Sequence, residues 1–147
     1  MQFDPFQSPA RIALFVVCLY CTVAFVVSWC GWQQLARTYA ADTKPPGTIF
    51  RGASGWITPI GSYGRCLNVV SASVGVYVET QLLFRLFHRP LLFPWSSVSA
   101  IESRSGGILW PYTQLTIVAG FFIFRIRLPK REASEIQSHV SHATNVA

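Results

Sequence analysis

Of 147 residues, 51% are apolar and only 12% are charged, so the chain has ample material for a core and extensive disorder is excluded. Lysine and arginine number 12 against 6 acidic residues, a net charge of +6. Asp4 and Arg11 offset each other, so this excess falls beyond the longest apolar run; scattered arginines without a recognition motif speak against nucleic acid and leave anionic membrane surfaces as the natural counterpart.

Residues 1–11, MQFDPFQSPAR, hold two prolines and no helical period, and read as a short leader. Asp4 has the wrong sign for a secretory signal, and the apolar segment that follows is too long for one, so an uncleaved anchor is expected. Residues 12–32, IALFVVCLYCTVAFVVSWCGW, contain no charge. As a helix rising about 1.5 Å per residue they cover roughly 30 Å, the thickness of a bilayer's hydrocarbon core, and are expected to cross it once.

Arg11 alone precedes this run, whereas Arg37, Lys44 and Arg51 follow it closely. The asymmetry predicts an inner-membrane protein with its N-terminus outside and its C-terminal part in the cytoplasm. Trp29 and Trp32 are expected to sit at the membrane interface on the cytoplasmic side. Cys21, Ala24, Ser28 and Gly31 recur at spacings of three, four and three, a stripe of small side chains suited to packing against another membrane helix. Cys18, Cys21 and Cys30 lie within the run, which leaves Cys66 alone beyond it, with no internal disulfide and a reducing compartment implied.

Residues 33–47 read as an amphipathic stem and linker. Leu35, Ala36 and Tyr39 oppose Gln33, Gln34, Arg37 and Thr38, and the helix is broken by Lys44-Pro45-Pro46-Gly47. Residues 48–142 form one domain in which strand-like runs are expected at 48–57, 63–71, 74–80, 91–93, 98–103, 114–118 and 121–128, the last two joined at Ala119-Gly120. After Pro129, residues 130–140 place Ala133, Ile136 and Val140 on one stripe and predict a closing helix, with residues 143–147 as a tail. The expected fold class is one transmembrane helix followed by a small, mainly-β antiparallel domain with a C-terminal helical cap.

No constellation for catalysis emerges. His139 and His142 are three apart but are joined by no cysteine or carboxylate pattern, and Cys66 falls in an apolar strand. Gly52, Gly55, Gly61 and Gly64 lack the lysine of a phosphate-binding loop, and the acidic residues Asp42, Glu79, Glu102, Glu132 and Glu135 show no spacing of a catalytic carboxylate pair. No enzyme activity, cofactor or metal is expected. Residues 81–95, QLLFRLFHRPLLFPW, interleave leucine and phenylalanine with Arg85, His88 and Arg89; they suit either an interfacial surface or a core strand with a wet face. On the last strand Phe121, Ile123, Arg125 and Arg127 share the face away from the core. Together with Arg85 and Arg89 they are the residues expected to meet a partner or lipid head groups.

The segment Pro90-Leu91-Leu92-Phe93-Pro94-Trp95-Ser96-Ser97-Val98 resembles the "apolar, apolar, Pro-Trp-Ser" segment of bacterial domains of the pleckstrin-homology-like (PH-like) and GRAM-like kind. Gly31-Trp32 with Leu35-Ala36 and Tyr39, placed just after a membrane helix, is similar to the stem of short bacterial membrane proteins that carry such a domain. The resemblance implies a bent barrel plugged by its C-terminal helix, and a non-enzymatic binding module. The expected role is an accessory or assembly subunit contacting other integral membrane proteins; the alternative is a domain that binds anionic lipid.

Overall fold

The first helix is set by its cap. The Ser8 side chain accepts a hydrogen bond from the Arg11 backbone N–H at 3.3 Å, and Pro9 takes the first helical position, where its missing N–H leaves nothing unpaired. In the computed structural model, which describes residues 8–58, 61–105, 111–129 and 136, helix α1 runs Pro9–Val27 and is long and apolar enough to cross a membrane. Ser28–Trp32 then forms a π-helical turn, in which the Gln33 N–H bonds to the Ser28 carbonyl five residues back, and Gly31 leaves helical geometry (φ 167°, ψ −38°). A second short helix, α2, covers Gln33–Tyr39.

Seven strands follow: β1 Gly47–Thr58, β2 Gly61–Ala72, β3 Gly75–Thr80, β4 Leu91–Phe93, β5 Val98–Ser105, β6 Pro111–Ala119 and β7 Phe122–Pro129. They form one antiparallel sheet of order β4-β3-β2-β1-β7-β6-β5, curled into a half-barrel. The expected mainly-β domain is thus present. A turn of 3₁₀ helix at Leu82–Phe87 links β3 to β4; of the segment expected as either surface or core strand, this turn is largely exposed surface and Leu91–Phe93 is a core strand.

The curl has a local cause. Between Arg51 and Ala53, β1 carries an extra residue, Gly52, at φ +71°, and β2 answers with Arg65 at φ +53°. An arginine in the left-handed region is held there by two bonds: its N–H donates to Ser54 Oγ at 3.1 Å, and its carbonyl accepts from Gln81 Nε2 at 3.1 Å. These bulges bend the β1–β2 pair so that the second half of β1 also reaches β7, from Ser54↔Arg127 to Thr58↔Ile123. At the far end, Gly75 (φ +152°) runs so close to the Phe93 carbonyl that no side chain fits.

The core fills the inner face of this sheet with Phe50, Ile57, Leu67, Val69, Val78, Phe93, Leu115, Ile117, Phe124, Ile126 and Leu128. The half-barrel does not close on itself, and its concave side is filled by Trp32, Leu35 and Ala36 from the helical rod. Two sequence expectations change here. The stretch 33–39 is amphipathic as expected, but its apolar side, Leu35 and Ala36, is part of the domain core instead of standing apart from it. Trp32 is not an interfacial residue: it is 0% exposed, packed against Tyr63, His88 and Phe124, and its Nε1 donates to the Arg89 carbonyl at 2.7 Å. Its indole finds a partner inside the protein and has no need of the head-group zone. Of the expected closing helix, Ile136 is described, helical and fully buried; the rest of that cap and the tail lie outside the described residues.

Candidate interaction groove

Alternation along the strands that meet at β1–β7 sends every second side chain away from the core. In β6, Thr113, Leu115, Ile117 and Ala119 point inward, which leaves Tyr112, Gln114, Thr116 and Val118 on the outer face. The register aligns these outward residues into rows. One row runs Glu102–Gln114–Arg127–Ser54 across β5, β6, β7 and β1, and the next runs Ala100–Thr116–Arg125–Trp56 and on to Ser62 in β2. The bent β1–β2 arm at Ser62, Tyr63 and Gly64 walls this outer face and leaves beside it an open groove of about 650 Å³.

Arg125 and Arg127 stand two residues apart on one strand, so their side chains emerge about 7 Å from each other. Arg127 lies 5.0 Å from the centre of the Tyr112 ring, a cation–π contact that holds its stem across the sheet. Trp56 is 55% exposed on the adjacent strand, a large apolar face beside the two guanidinium groups, whereas Gln114 is 9% exposed with its amide at the floor. The groove therefore offers two positive charges, an amide, two hydroxyls from Ser54 and Thr116, one carboxylate from Glu102 and one indole. That combination is chemically suited to an extended, mixed-polarity ligand with at least one anionic group, because guanidinium groups pair with carboxylate or phosphate in two-point hydrogen bonds.

Beyond the Arg125 row the outer face turns apolar. Ile123 pairs with Val118 and with Thr58, and Phe121, at the tip of the β6–β7 hairpin, is fully exposed. Phe122, its neighbour, comes within reach of Gly31 just past the end of α1. Of the residues expected to make contact, Arg125 and Arg127 thus belong to the groove, and Ile123 and Phe121 continue from it.

Arg85 and Arg89 lie elsewhere, on and just after the Leu82–Phe87 turn. Arg85 is 3.9 Å from Glu79, and Arg89 is 3.6 Å from Asp42. Glu79 also accepts from Lys44 Nζ at 2.8 Å; burial pushes its carboxyl pKa up, but Lys44, Tyr77 and Arg85 outweigh burial and hold it low. Burial and the neighbouring Glu79 charge push the Tyr77 hydroxyl up to about 12.

The small stripe of α1 also has a place. Ala24, Ser28 and Gly31 are buried within the chain, Ser28 Oγ donating to the Phe87 carbonyl, while Cys21 is partly exposed; Trp29 points outward.

His88, grouped by sequence with Arg85 and Arg89, has a different environment from either. It is 2% exposed, wedged against Trp32 and Tyr63, with Nε2 3.3 Å from the Tyr63 hydroxyl and Nδ1 without a hydrogen bond among the described residues. Burial holds its pKa below the ordinary value, against a smaller opposing effect of the Phe84 carbonyl. Cys66 is likewise buried, and burial pushes its thiol up. His139 and His142 lie outside the described residues, and among those described no group of three His, Cys, Asp or Glu side chains comes together to hold a metal. Trp56, Gln114 and Thr116 were missed. Their alternation was visible in the sequence, but nothing local announced that β1 would pair with β7.

Compared with protein-family models, curated proteins and solved structures, the chain matches none. The reading of the groove accordingly rests on its geometry and chemistry.

Proposed function

We propose that this is a single-pass membrane protein whose domain is a non-enzymatic interaction module, an accessory subunit that holds an acidic segment of another membrane protein in the outer-face groove. The observation that carries this reading is the side-by-side pair Arg125 and Arg127 with Trp56 at the next strand: two carboxylate-binding forks beside one exposed indole. Gln114, Thr116 and Ser54 add neutral hydrogen bonding, which suits a peptide backbone better than a bare phosphate. The resemblance of residues 90–98 to PH-like domains supports a binding module, though that kind of fold hosts many partners. In this reading the N-terminus lies outside and the domain in the cytoplasm of the inner membrane, as the cations Arg37, Lys44 and Arg51 after the helix favour.

The test is purification of the full chain in mild detergent, with wild type and the pair Arg125→Glu, Arg127→Glu handled side by side. A stoichiometric membrane subunit accompanies the wild type and is lost from the charge-reversed protein. A wild-type monomer without companion, or a companion indifferent to the reversal, refutes the groove as the contact.

A second reading, binding of anionic lipid head groups, draws on the apolar row at Ile123 and Val118 about 7 Å from Arg125. It predicts that the same double variant, reconstituted alone, loses its preference for anionic over neutral lipid.

A further inference from the structure

The Leu82–Phe87 turn leaves the domain and lies along α1. The Phe84 ring centre is 6.1 Å from that of Tyr20, and the Phe87 ring meets Phe25 edge-on at 5.5 Å. The Phe87 carbonyl accepts from both Ser28 Oγ and, at 3.3 Å, Gln33 Nε2. On the side away from these contacts Leu82 is 83% exposed and Leu86 63% exposed.

The length of α1 decides what surrounds them. Its 19 residues give about 28 Å, barely the hydrocarbon thickness, so a helix that crosses has no length to spare and must stay in the membrane to about Val27. Tyr20 lies seven residues before Val27, roughly 10 Å deeper. Phe84, packed on Tyr20, is carried to the same depth.

We propose that the Leu82–Phe87 turn is embedded in the acyl region of the bilayer beside α1, and that the Phe121 hairpin tip enters the same membrane face from the other side of the rod. Continuity with α1 is what identifies the occupant as lipid. Non-helical backbone at this depth needs polar groups satisfied from within, and several of the turn's are. Besides the two bonds to Phe87, the Gln81 carbonyl accepts from the Phe84 N–H at 2.8 Å, the Arg85 carbonyl accepts from the His88 N–H at 3.2 Å, and the Arg89 carbonyl accepts from Trp32 Nε1. The charge in the turn is led out of it: the Arg85 side chain reaches back towards Glu79, which Lys44 also holds, so the guanidinium lies at the polar boundary while its stem crosses apolar surface. Phe121, fully exposed and one residue from the ring that faces Gly31, extends the contact to a second point. Two anchors beside the spanning helix would fix the rotation of the domain and hold the groove at a set height above the membrane. The inference rests on α1 spanning the bilayer and does not depend on what the groove binds.

The full-length protein is reconstituted into phosphatidylcholine nanodiscs, with resistance to alkaline carbonate extraction from native membranes checking α1 separately. Leu82→Cys, Leu86→Cys and Phe121→Cys are compared with Val74→Cys, an apolar residue 58% exposed at the β2–β3 turn, using a membrane-impermeant maleimide and the wild type as blank. The three membrane-facing thiols react at least tenfold more slowly than that at position 74. In parallel, the emission added by Leu86→Trp is quenched by lipids brominated on their acyl chains, and that added by Val74→Trp is not. Equal labelling of an integral protein overturns the proposal. Protection without bromine quenching overturns it as well, since the turn is then covered by protein, such as a second copy.

Discussion

Trp29 and Trp32 stand three residues apart on one helical rod, near the end of the same apolar run, and the structure treats them oppositely. Trp29 is 63% exposed, whereas Trp32 is 0% exposed and joined by ring contacts to Tyr63, His88 and Phe124. The same contrast runs through the two parts of the rod. In α1 only Ala24 is buried, and most of its apolar surface is exposed; from Trp32 onward the apolar residues Leu35 and Ala36 belong to the sheet's core. One continuous helical stretch thus has a first part apolar and exposed enough to suit lipid and a second part that packs on protein, and the π turn at Ser28–Trp32, where one residue is added to the helical repeat, marks the change. Trp29 and Trp32 share one side-chain chemistry; the surface each meets is what separates them.

The largest expected effect breaks the contrast directly. Trp32→Ala empties the centre of the half-barrel and lowers stability by about 3–5 kcal/mol, whereas Trp29→Ala changes it by less than about 0.5 kcal/mol, both measured by guanidinium unfolding in mild detergent. Comparable losses at the two positions would mean that the division between lipid-facing and core-facing helix is misplaced.

The next concerns His88, which lies against Trp32. Its folded pKa is below the unfolded value of 6.5, so between the two the unfolded chain holds the extra proton. Stability is therefore complete above about pH 6.5 and falls as the pH drops below it, by at most about 1.4 kcal/mol per pH unit. The unfolding midpoint should drop between pH 7 and pH 5.5 in the wild type, and the profile should be flatter in His88→Gln.

The smallest effect separates two hydroxyls of the rod. Ser28→Ala removes the bond to the Phe87 carbonyl and costs about 1 kcal/mol. Thr22→Ala removes only a bond to the Cys18 carbonyl one turn away on the exposed side, and is close to neutral in the same unfolding assay.

Much of the fold was legible because it is written in short periods. A charge-free apolar run announces a membrane helix, and alternation announced the hairpin of β6 and β7 with Phe124 and Ile126 on one side and Arg125 and Arg127 on the other. The groove was half legible. The two arginines were visible on one strand, but Trp56 and Ser54 joined them through the pairing of β1 with β7, which depends on the bulges at Gly52 and Arg65. His88 and Trp32 were misjudged for the same kind of reason: in the sequence one sits between Phe87 and Arg89 and the other follows a membrane segment, and neither neighbourhood reveals a buried face.

By itself, then, the sequence determined the approximate extents of the seven strands, which strand faces are apolar, and that one helix suits a bilayer, since periods of two and 3.6 residues and the length of an apolar run are local quantities. Only the tertiary structure decided that Trp32, Leu35 and Ala36 plug the sheet, that Ser28 of the small stripe bonds to the Phe87 carbonyl, and that Arg125, Arg127 and Trp56 share a groove. Those outcomes depend on contacts between segments distant in sequence, chosen by register, bulge and close packing, and no local pattern records which segment will arrive.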